Sequence, residues 1–209
     1  MLKGRELYQT YNEEYFERAP WKGGYKGLGV DSRWIAYIKL MKKLCHPPGC
    51  VLDVGCAGGH FVKMLRDNGY QGYGVDISHY ALHHYKAAPT IILAHAAYLP
   101  YRDKTFDIVY SHELLEHIPE ELALPTIKEF CRVGRHWQIH LIGIYKPNCF
   151  IPSITETGDP THVNIQYEAY WQKLFVGTGW QRLKQWEVEI DNLTKGTDWA
   201  GRHLVLGIL

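Results

Sequence analysis

The stretch VLDVGCAGGHF, Val51 to Phe61, decides the fold class of this 209-residue chain. Residues 51–54 are apolar except for Asp53, and three glycines and one alanine follow within five residues. A strand that runs into a glycine-rich turn and then into a helix is the nucleotide-binding opening of doubly wound α/β folds. The carboxylate of Asp53 would repel a diphosphate, whereas it suits a ligand that carries ammonium and sulfonium charges. The turn therefore predicts a site for a cationic ligand.

The spacing of the small residues argues against a dinucleotide site. The G-x-G-x-x-G fingerprint, counted from Gly55, requires small residues at positions 57 and 60. The chain has Ala57 and His60, so the third position fails. A G-x-G-x-G spacing through Gly55, Ala57 and Gly59 fits better, which disfavours an NAD-dependent dehydrogenase.

Strand-like and helix-like segments alternate from residue 50 onward, which is typical of βαβ units. The pattern predicts an α/β fold with a Rossmann-like, doubly wound sheet of seven mostly parallel strands. The predicted strands cover residues 50–54, 72–75, 90–93, 106–110, 137–145, 183–190 and 203–209. No helix is predicted between the last two strands, so we expect an antiparallel hairpin at the C-terminal edge of the sheet.

Length and composition predict one domain over residues 1–209, with an aromatic lid or cap at 1–30 and a catalytic core at 31–209. The formal net charge is +1 without a dense basic block, so no nucleic-acid partner is expected. No apolar run approaches the roughly 18 residues of a membrane span, so no membrane association is expected. The five cysteines form no C-x-x-C pair, which indicates a reducing compartment, the cytoplasm. A monomer or homodimer is expected.

Four segments in order carry a family resemblance. Residues 53–59, DVGCAGG, resemble the first motif of the class I S-adenosylmethionine-dependent methyltransferases. The other three are GVDIS at 74–78, AHAAYLPY at 94–101, and FDIV at 106–109 continuing to LEHI at 115–118. The resemblance covers roughly residues 51–145. It implies S-adenosylmethionine as the cofactor and methyl transfer as the activity.

The resemblance also implies which residues hold the cofactor. Asp76 would accept both ribose hydroxyls. His95 stands where the family usually has an acid that contacts the adenine amino group, and a neutral imidazole can accept one hydrogen bond from that amine. Ala57 replaces the commonest middle glycine, which is tolerable if its φ is negative. The expected cofactor-binding residues are Asp53, Gly55, Cys56, Ala57, Gly59, Asp76, Ile77, His95, Ala96 and Ser111.

The acceptor side is expected at the carboxyl edge of the sheet, where ligands bind in open α/β folds. His162 has Asp159 three residues before it, and such a pair can act as a general base. The alternative is a proline-containing turn with an Asx-type hydrogen bond. The N-terminal aromatic residues either pack over the sheet edge or form a lid over the acceptor. We expect catalytic roles for His162 and His117, and substrate contacts from Tyr11, Tyr15, His112 and Asp159.

These features predict methyl transfer to an oxygen or nitrogen atom of a small-molecule acceptor. A peptide or protein acceptor, and a non-catalytic S-adenosylmethionine-binding partner subunit, remain as alternatives. A metal is not expected, because a magnesium site would need a cluster of acids after strands four and five. The sequence offers only Glu113, Glu116 and the distant Asp159 there.

Overall fold

The computed structural model describes residues 9–18, 34–145, 159–197 and 201–208, and the statements below refer to these residues. Of the expected lid segment, residues 9–18 are therefore described, and the rest lies outside the described residues.

Seven strands form one sheet in the order β3-β2-β1-β4-β5-β7-β6. Strands β1 to β5 run parallel, and β7 is antiparallel to both β5 and β6. The predicted mostly parallel, seven-stranded sheet is thus confirmed. The strands are β1 Cys50–Val54, β2 Gln71–Asp76, β3 Ile91–Leu93, β4 Phe106–His112, β5 Gly134–Leu141, β6 Gln181–Arg182 and β7 His203–Gly207.

Helices cover both faces of this sheet. One buried cluster joins Val109 and Leu206 of the sheet to Phe130 and Trp171, and a second joins Tyr110 and Val205 to Tyr37, Phe61 and Ile190. The helices are α1 Glu13–Arg18, α2 Trp34–Leu44, α3 His60–Asp67, α4 His79–His84, α5 Glu120–Val133, α6 Glu168–Val176 and α7 Lys184–Leu193, with a short 3-10 turn at Leu115–His117. None of the described helices has both the length and the apolar composition needed to cross a bilayer.

The predicted strand at 183–190 is wrong, because that segment is helix α7. Leu183, Glu187 and Ile190 are buried at helical spacing, whereas Val188 is exposed. The carboxylate of Glu187 interrupts the apolar face of this helix, so the sequence does not show a helical periodicity. Arg182 stabilises the buried carboxylate by donating to both of its oxygens, at 2.7 and 2.8 Å. The C-terminal edge is therefore an antiparallel pair whose strands are joined through a helix instead of a hairpin.

His140 on β5 is a buried, uncharged histidine. It is fully buried, and its ring stacks between Phe130 and Phe175. Its ring nitrogens contact Ser111 Oγ at 2.8 Å and Gln138 Oε1 at 3.0 Å. Burial lowers the pKa of His140 from the ordinary 6.5 to about 3.

We predict that His140 makes the protein acid-sensitive. Between pH 6.5 and about 3 the unfolded chain binds a proton at this ring and the native state does not. Stability is therefore lost as the pH falls through that window, by at most about 1.4 kcal/mol per pH unit for one proton. Urea unfolding between pH 4 and 7 should show that the free energy of unfolding falls less steeply with decreasing pH in His140→Gln than in the parent. The exposed His136, changed to Gln, is the control, and equal slopes for parent and His140→Gln would refute the prediction.

Candidate functional site

The glycine turn after β1 is tied to the end of β2. The N–H groups of Gly55 and Cys56 both donate to the carbonyl of Val75, at 2.8 and 3.0 Å. The next N–H, of Ala57, donates to Asp76 Oδ2 at 2.8 Å. Since β1 lies between β2 and β4, where the strand order changes direction, the turn stands at the point where open α/β sheets bind ligands.

The turn is built in the left-handed backbone region. Gly55 and Gly59 have φ of 81° and 79°, and Ala57 has φ of 46°. The condition under which Ala57 would be free of backbone strain, a negative φ, is thus not met. A non-glycine residue in this region costs about 1–3 kcal/mol, and the hydrogen bond from its N–H to Asp76 helps to hold it there. A Cβ on Gly55 would lie 3.0 Å from Leu114.

A cavity of about 800 Å³, part of it open to solvent, lies above this turn. The expected site residues in its wall are Tyr11, Tyr15, Gly55, Ala57, Asp76, Ile77, His95, Ala96, His112 and His117. The others lie behind the wall and do not line it: Asp53, Cys56, Gly59, Ser111, Asp159 and His162. For Ser111 the reason is clear, because it is fully buried with its hydroxyl on His140.

Asp76 fits the ribose of the expected cofactor. Its Oδ1 accepts from the N–H of Ser78 at 2.7 Å, and its Oδ2 accepts from Ala57. Burial raises the pKa of Asp76, and these backbone N–H groups oppose that shift. Each carboxylate oxygen can accept a second hydrogen bond, so both remain able to take a ribose hydroxyl.

Asp53 is a buried carboxyl beneath the turn. Its burial and the neighbouring charge of Asp76 raise its pKa well above the ordinary value. A cationic ligand in the cavity opposes both causes, because it favours the charged form of the carboxyl. Asp53 does not line the cavity, so its carboxylate would favour a ligand with sulfonium and ammonium groups through its charge and not through direct contact.

His95 has its hydrogen-bond role set by a neighbouring amide. The N–H of Ala97 donates to Nδ1 of His95 at 3.0 Å, and burial lowers the pKa of the ring. In the neutral ring the proton is then on Nε2, which is a donor. His95 therefore suits a ring nitrogen of adenine, and the expected acceptance of a hydrogen bond from the adenine amine does not fit this tautomer.

His117 is oriented by a relay of two residues. The hydroxyl of Thr161 donates to Asp159 Oδ1 at 2.6 Å, so it accepts from His117 Nδ1, 2.9 Å away. Nδ1 therefore carries the proton, and Nε2 of the neutral ring holds the lone pair. Sequence reasoning missed Thr161, because its link to His117 spans 44 residues.

The expected pair of Asp159 and His162 is close but not hydrogen-bonded. His162 Nε2 lies 3.8 Å from Asp159 Oδ2, which is too long for a hydrogen bond. Asp159 Oδ1 instead accepts the N–H of Thr161 at 2.9 Å, which is the Asx-type turn of the alternative interpretation. The ring centroids of His162 and His117 are 4.4 Å apart, so His162 stands directly behind the cavity-lining histidine.

Glu116 is a further functional candidate. Sequence analysis named it only among the acids considered for a magnesium site. It is fully buried next to His117, and its Oε1 accepts the N–H of Gly143 at 2.8 Å. Burial and the charge of Glu113 raise its pKa to about 8. Glu116, His117 and His162 bring one ligand atom each to within 4.8 Å of one another, so they can hold a metal ion.

The described N-terminal residues pack against α4 and contribute to the wall of the cavity. Tyr15 and Phe16 are buried against Ala81, and Tyr11 packs against that cluster. The carbonyl of Tyr11 accepts from Ser78 Oγ at 2.5 Å, and its ring meets that of His117 with centroids 6.1 Å apart. Helix α1 therefore packs beside α4, and its residues Tyr15 and Phe16 line the cavity.

Known proteins share both the sequence motifs and the fold. The family model for a methyltransferase domain matches residues 52–137. An uncharacterized protein of Methanocaldococcus jannaschii is 34% identical over 82 residues, which are 39% of this chain and 36% of that protein. The match thus spans about a third of the relative's length.

Two solved structures show the same fold. Magnesium protoporphyrin IX methyltransferase from Synechocystis PCC 6803, with bound SAH, is 19% identical with a TM-score of 0.69, covering 99% of this chain and 100% of that one. A SAM-dependent methyltransferase from Archaeoglobus fulgidus is 18% identical with a TM-score of 0.61, covering 84% and 91%.

We predict that Asp76→Ala weakens binding of S-adenosylmethionine by about 1.5–3 kcal/mol, the range for hydrogen bonds to a charged group. Calorimetric titration of the folded variant measures this. Asp67→Ala, which removes an exposed carboxylate at the end of α3, should bind like the parent. Unchanged affinity of Asp76→Ala would show that the ribose assignment is wrong.

A second prediction concerns Gly55, where a branched side chain would enter the cavity and crowd Leu114. Gly55→Val should abolish cofactor binding while circular dichroism shows the sheet still formed. Gly179→Val is the matched control, because Gly179 has φ of 91° and open space around it. It imposes the same backbone strain away from the cavity, so it should bind normally. Normal binding by both variants would move the cofactor site away from the turn.

Proposed function

We propose that the chain is a class I S-adenosylmethionine-dependent methyltransferase, whose domain model matches residues 52–137, and that it methylates an oxygen or nitrogen atom of a small molecule. The observation that carries the proposal is the shared cavity. It is lined both by residues of the glycine turn and by His117, His112 and the aromatic residues Tyr11 and Tyr15.

The cofactor supplies the electrophilic methyl group, so the protein has to position the acceptor, exclude water and handle the acceptor's proton. The rings of Tyr11 and Tyr15, with centroids 4.9 Å apart, cover the acceptor side and limit water there. Closure of this kind strengthens electrostatic interactions inside the site. Residues 1–30 are proposed as the lid of a single domain with residues 31–209 as its core.

We assign the acceptor's proton to the histidine pair. His117 lines the cavity with Nε2 as its basic atom, because the Thr161–Asp159 relay holds the proton on Nδ1. His162 stands behind it with the rings 4.4 Å apart. An O–H or N–H acceptor would give its proton to His117, and the residues behind it would stabilise the imidazolium through the charge of Asp159.

The remaining parts of the proposal are the partner class and the compartment. Neither nucleic acid nor membrane is included, in line with the nearly neutral net charge. The cytoplasm is proposed because Cys45, Cys50, Cys56 and Cys131 are all free thiols.

The function is tested with methyl-labelled cofactor and a panel of hydroxylated and amino metabolites. Label transfer to a small molecule supports the proposal, and transfer only to added peptides or proteins replaces it with the protein-acceptor alternative. Cofactor binding without transfer to either class would favour the non-catalytic subunit.

On the true acceptor, His117→Ala and His162→Ala should each lower turnover by roughly 10²–10⁴-fold, the range for loss of a general base. Cofactor affinity should stay nearly the same, because both residues serve the acceptor. His117→Asn should be almost as slow, since an amide cannot take the proton. His46→Ala removes an exposed histidine outside the cavity and should be fully active. Full activity of both site variants would remove the histidine pair from the mechanism.

A further inference from the structure

Behind the His117 side of the cavity lie buried carboxylate oxygens that the protein does not satisfy. Glu116 Oε2 and Asp159 Oδ2 are both buried without a hydrogen-bond partner. The two residues are 0% and 5% exposed. Buried polar atoms are nearly always paired in folded proteins, so two orphaned oxygens in one place indicate a group that completes them.

Protonation alone does not resolve the state of Glu116. A proton on Oε2 turns an acceptor without a partner into a donor without a partner. A cation beside Oε2 would satisfy the oxygen and balance its charge at once.

The histidines next to Glu116 complete a set of metal ligands. One atom each from Glu116, His117 and His162 lies within 4.8 Å of the others. Two histidines and one glutamate are a ligand set of catalytic zinc sites, which leave a further coordination position for water or substrate. A hard cation such as magnesium prefers oxygen ligands and fits this set less well.

The surroundings of His117 are those of a metal ligand. Metal-binding histidines usually donate the second ring N–H to a polar partner that fixes the tautomer. Here Nδ1–H donates to Thr161 Oγ1 at 2.9 Å, and Thr161 donates onward to Asp159 Oδ1 at 2.6 Å. The lone pair is then on Nε2, and the relay through Thr161 ends at the carboxylate of Asp159.

The local charge also suits a dication. Glu113 and Glu116 both approach Arg202, and Asp159 is linked through Thr161 to His117, so three carboxylates belong to this cluster. Arg202 opposes them, since its Nη2 pairs with Glu113 and lies 4.0 Å from Glu116 Oε1. Three negative charges against one positive charge leave two negative charges when all are ionised and the histidines are neutral.

We propose that Glu116, His117 and His162 bind a divalent transition-metal cation of the zinc type at the acceptor end of the cavity. Metal binding itself is independent of the proposed function, and the role of the metal in methyl transfer rests on it. With the cation bound, His117 would be a ligand and not the base, so an acceptor hydroxyl that enters the open position would have its pKa lowered by the cation and would release its proton to solvent water. Its oxygen then forms the bond to the methyl carbon while the carbon–sulfur bond breaks. That electron pair goes to sulfur and neutralises the sulfonium.

The metal site is tested on the full chain after removal of metal with EDTA. Titration with Zn²⁺ is followed by calorimetry, and titration with Co²⁺ by the visible absorption of the bound ion. The parent should bind one equivalent of each, and Zn²⁺ should raise its melting temperature. Glu116→Gln, which keeps the shape of the side chain, and His162→Ala should each bind at least about 100-fold more weakly, because even outer partners of a site contribute about 10–100-fold.

An exposed pair on α4 supplies the matched control. His79 and His83 are exposed with ring centroids 4.2 Å apart, and such a pair can capture zinc at the surface. The double variant His79→Ala/His83→Ala should keep the one bound equivalent and the zinc-dependent melting shift. Loss of zinc binding in this variant, or parent-like binding in both Glu116→Gln and His162→Ala, overturns the metal site.

The same experiments separate the metal site from methyl transfer. One equivalent of zinc bound through Glu116 and His162, without methyl transfer to any acceptor class, supports the site and removes the function. Full methyl transfer by metal-free protein that binds no zinc supports the function and removes the site.

Discussion

The hydrogen bonds that fasten the glycine turn to the end of β2 are the constraint on which the site depends. Three successive N–H groups, from Gly55 to Ala57, are bonded to the carbonyl of Val75 and the carboxylate of Asp76. These bonds fix the position of the turn relative to β2, and Ala57 adopts a left-handed backbone conformation in this arrangement. The cofactor meets a floor that is already ordered, so little conformational entropy is lost when it binds.

The parallel half of the fold was predictable because its signals are local. Strands buried on both faces are near-continuous apolar runs, and each ends at a motif of fixed spacing, such as Asp76 after β2. The C-terminal edge was not predictable in this way. Glu187 occupies a buried helical position that a sequence pattern reserves for apolar residues, and only its pairing with Arg182 makes that position possible. The tertiary contact between Arg182 and Glu187 thus permits a helix whose apolar periodicity is interrupted in the sequence.

The candidate site divides along the same line. The expected cofactor contacts come from short segments at the ends of β1, β2 and β3, and the motifs place Gly55, Asp76 and His95 in the cavity wall. The acceptor side joins residues 44 positions apart, as in the bond between His117 and Thr161. Sequence analysis identified Asp159 as a partner of His162 from their spacing, but the side chain turns toward Thr161 instead. Histidine tautomers follow from such bonds, and they are invisible in the sequence.

The two sides also balance their buried charge differently. On the cofactor side both oxygens of Asp76 accept backbone N–H groups, so this carboxylate is satisfied by the fold itself. On the acceptor side Glu116 and Asp159 each keep one buried oxygen without a partner. An unsatisfied buried acceptor costs about 1–3 kcal/mol, and the fold sustains two of them within one cluster. The carboxylate of Asp76 is therefore satisfied as folded, whereas the cluster of Glu116 and Asp159 keeps two buried acceptors unsatisfied, so a group that paired with them would recover that cost.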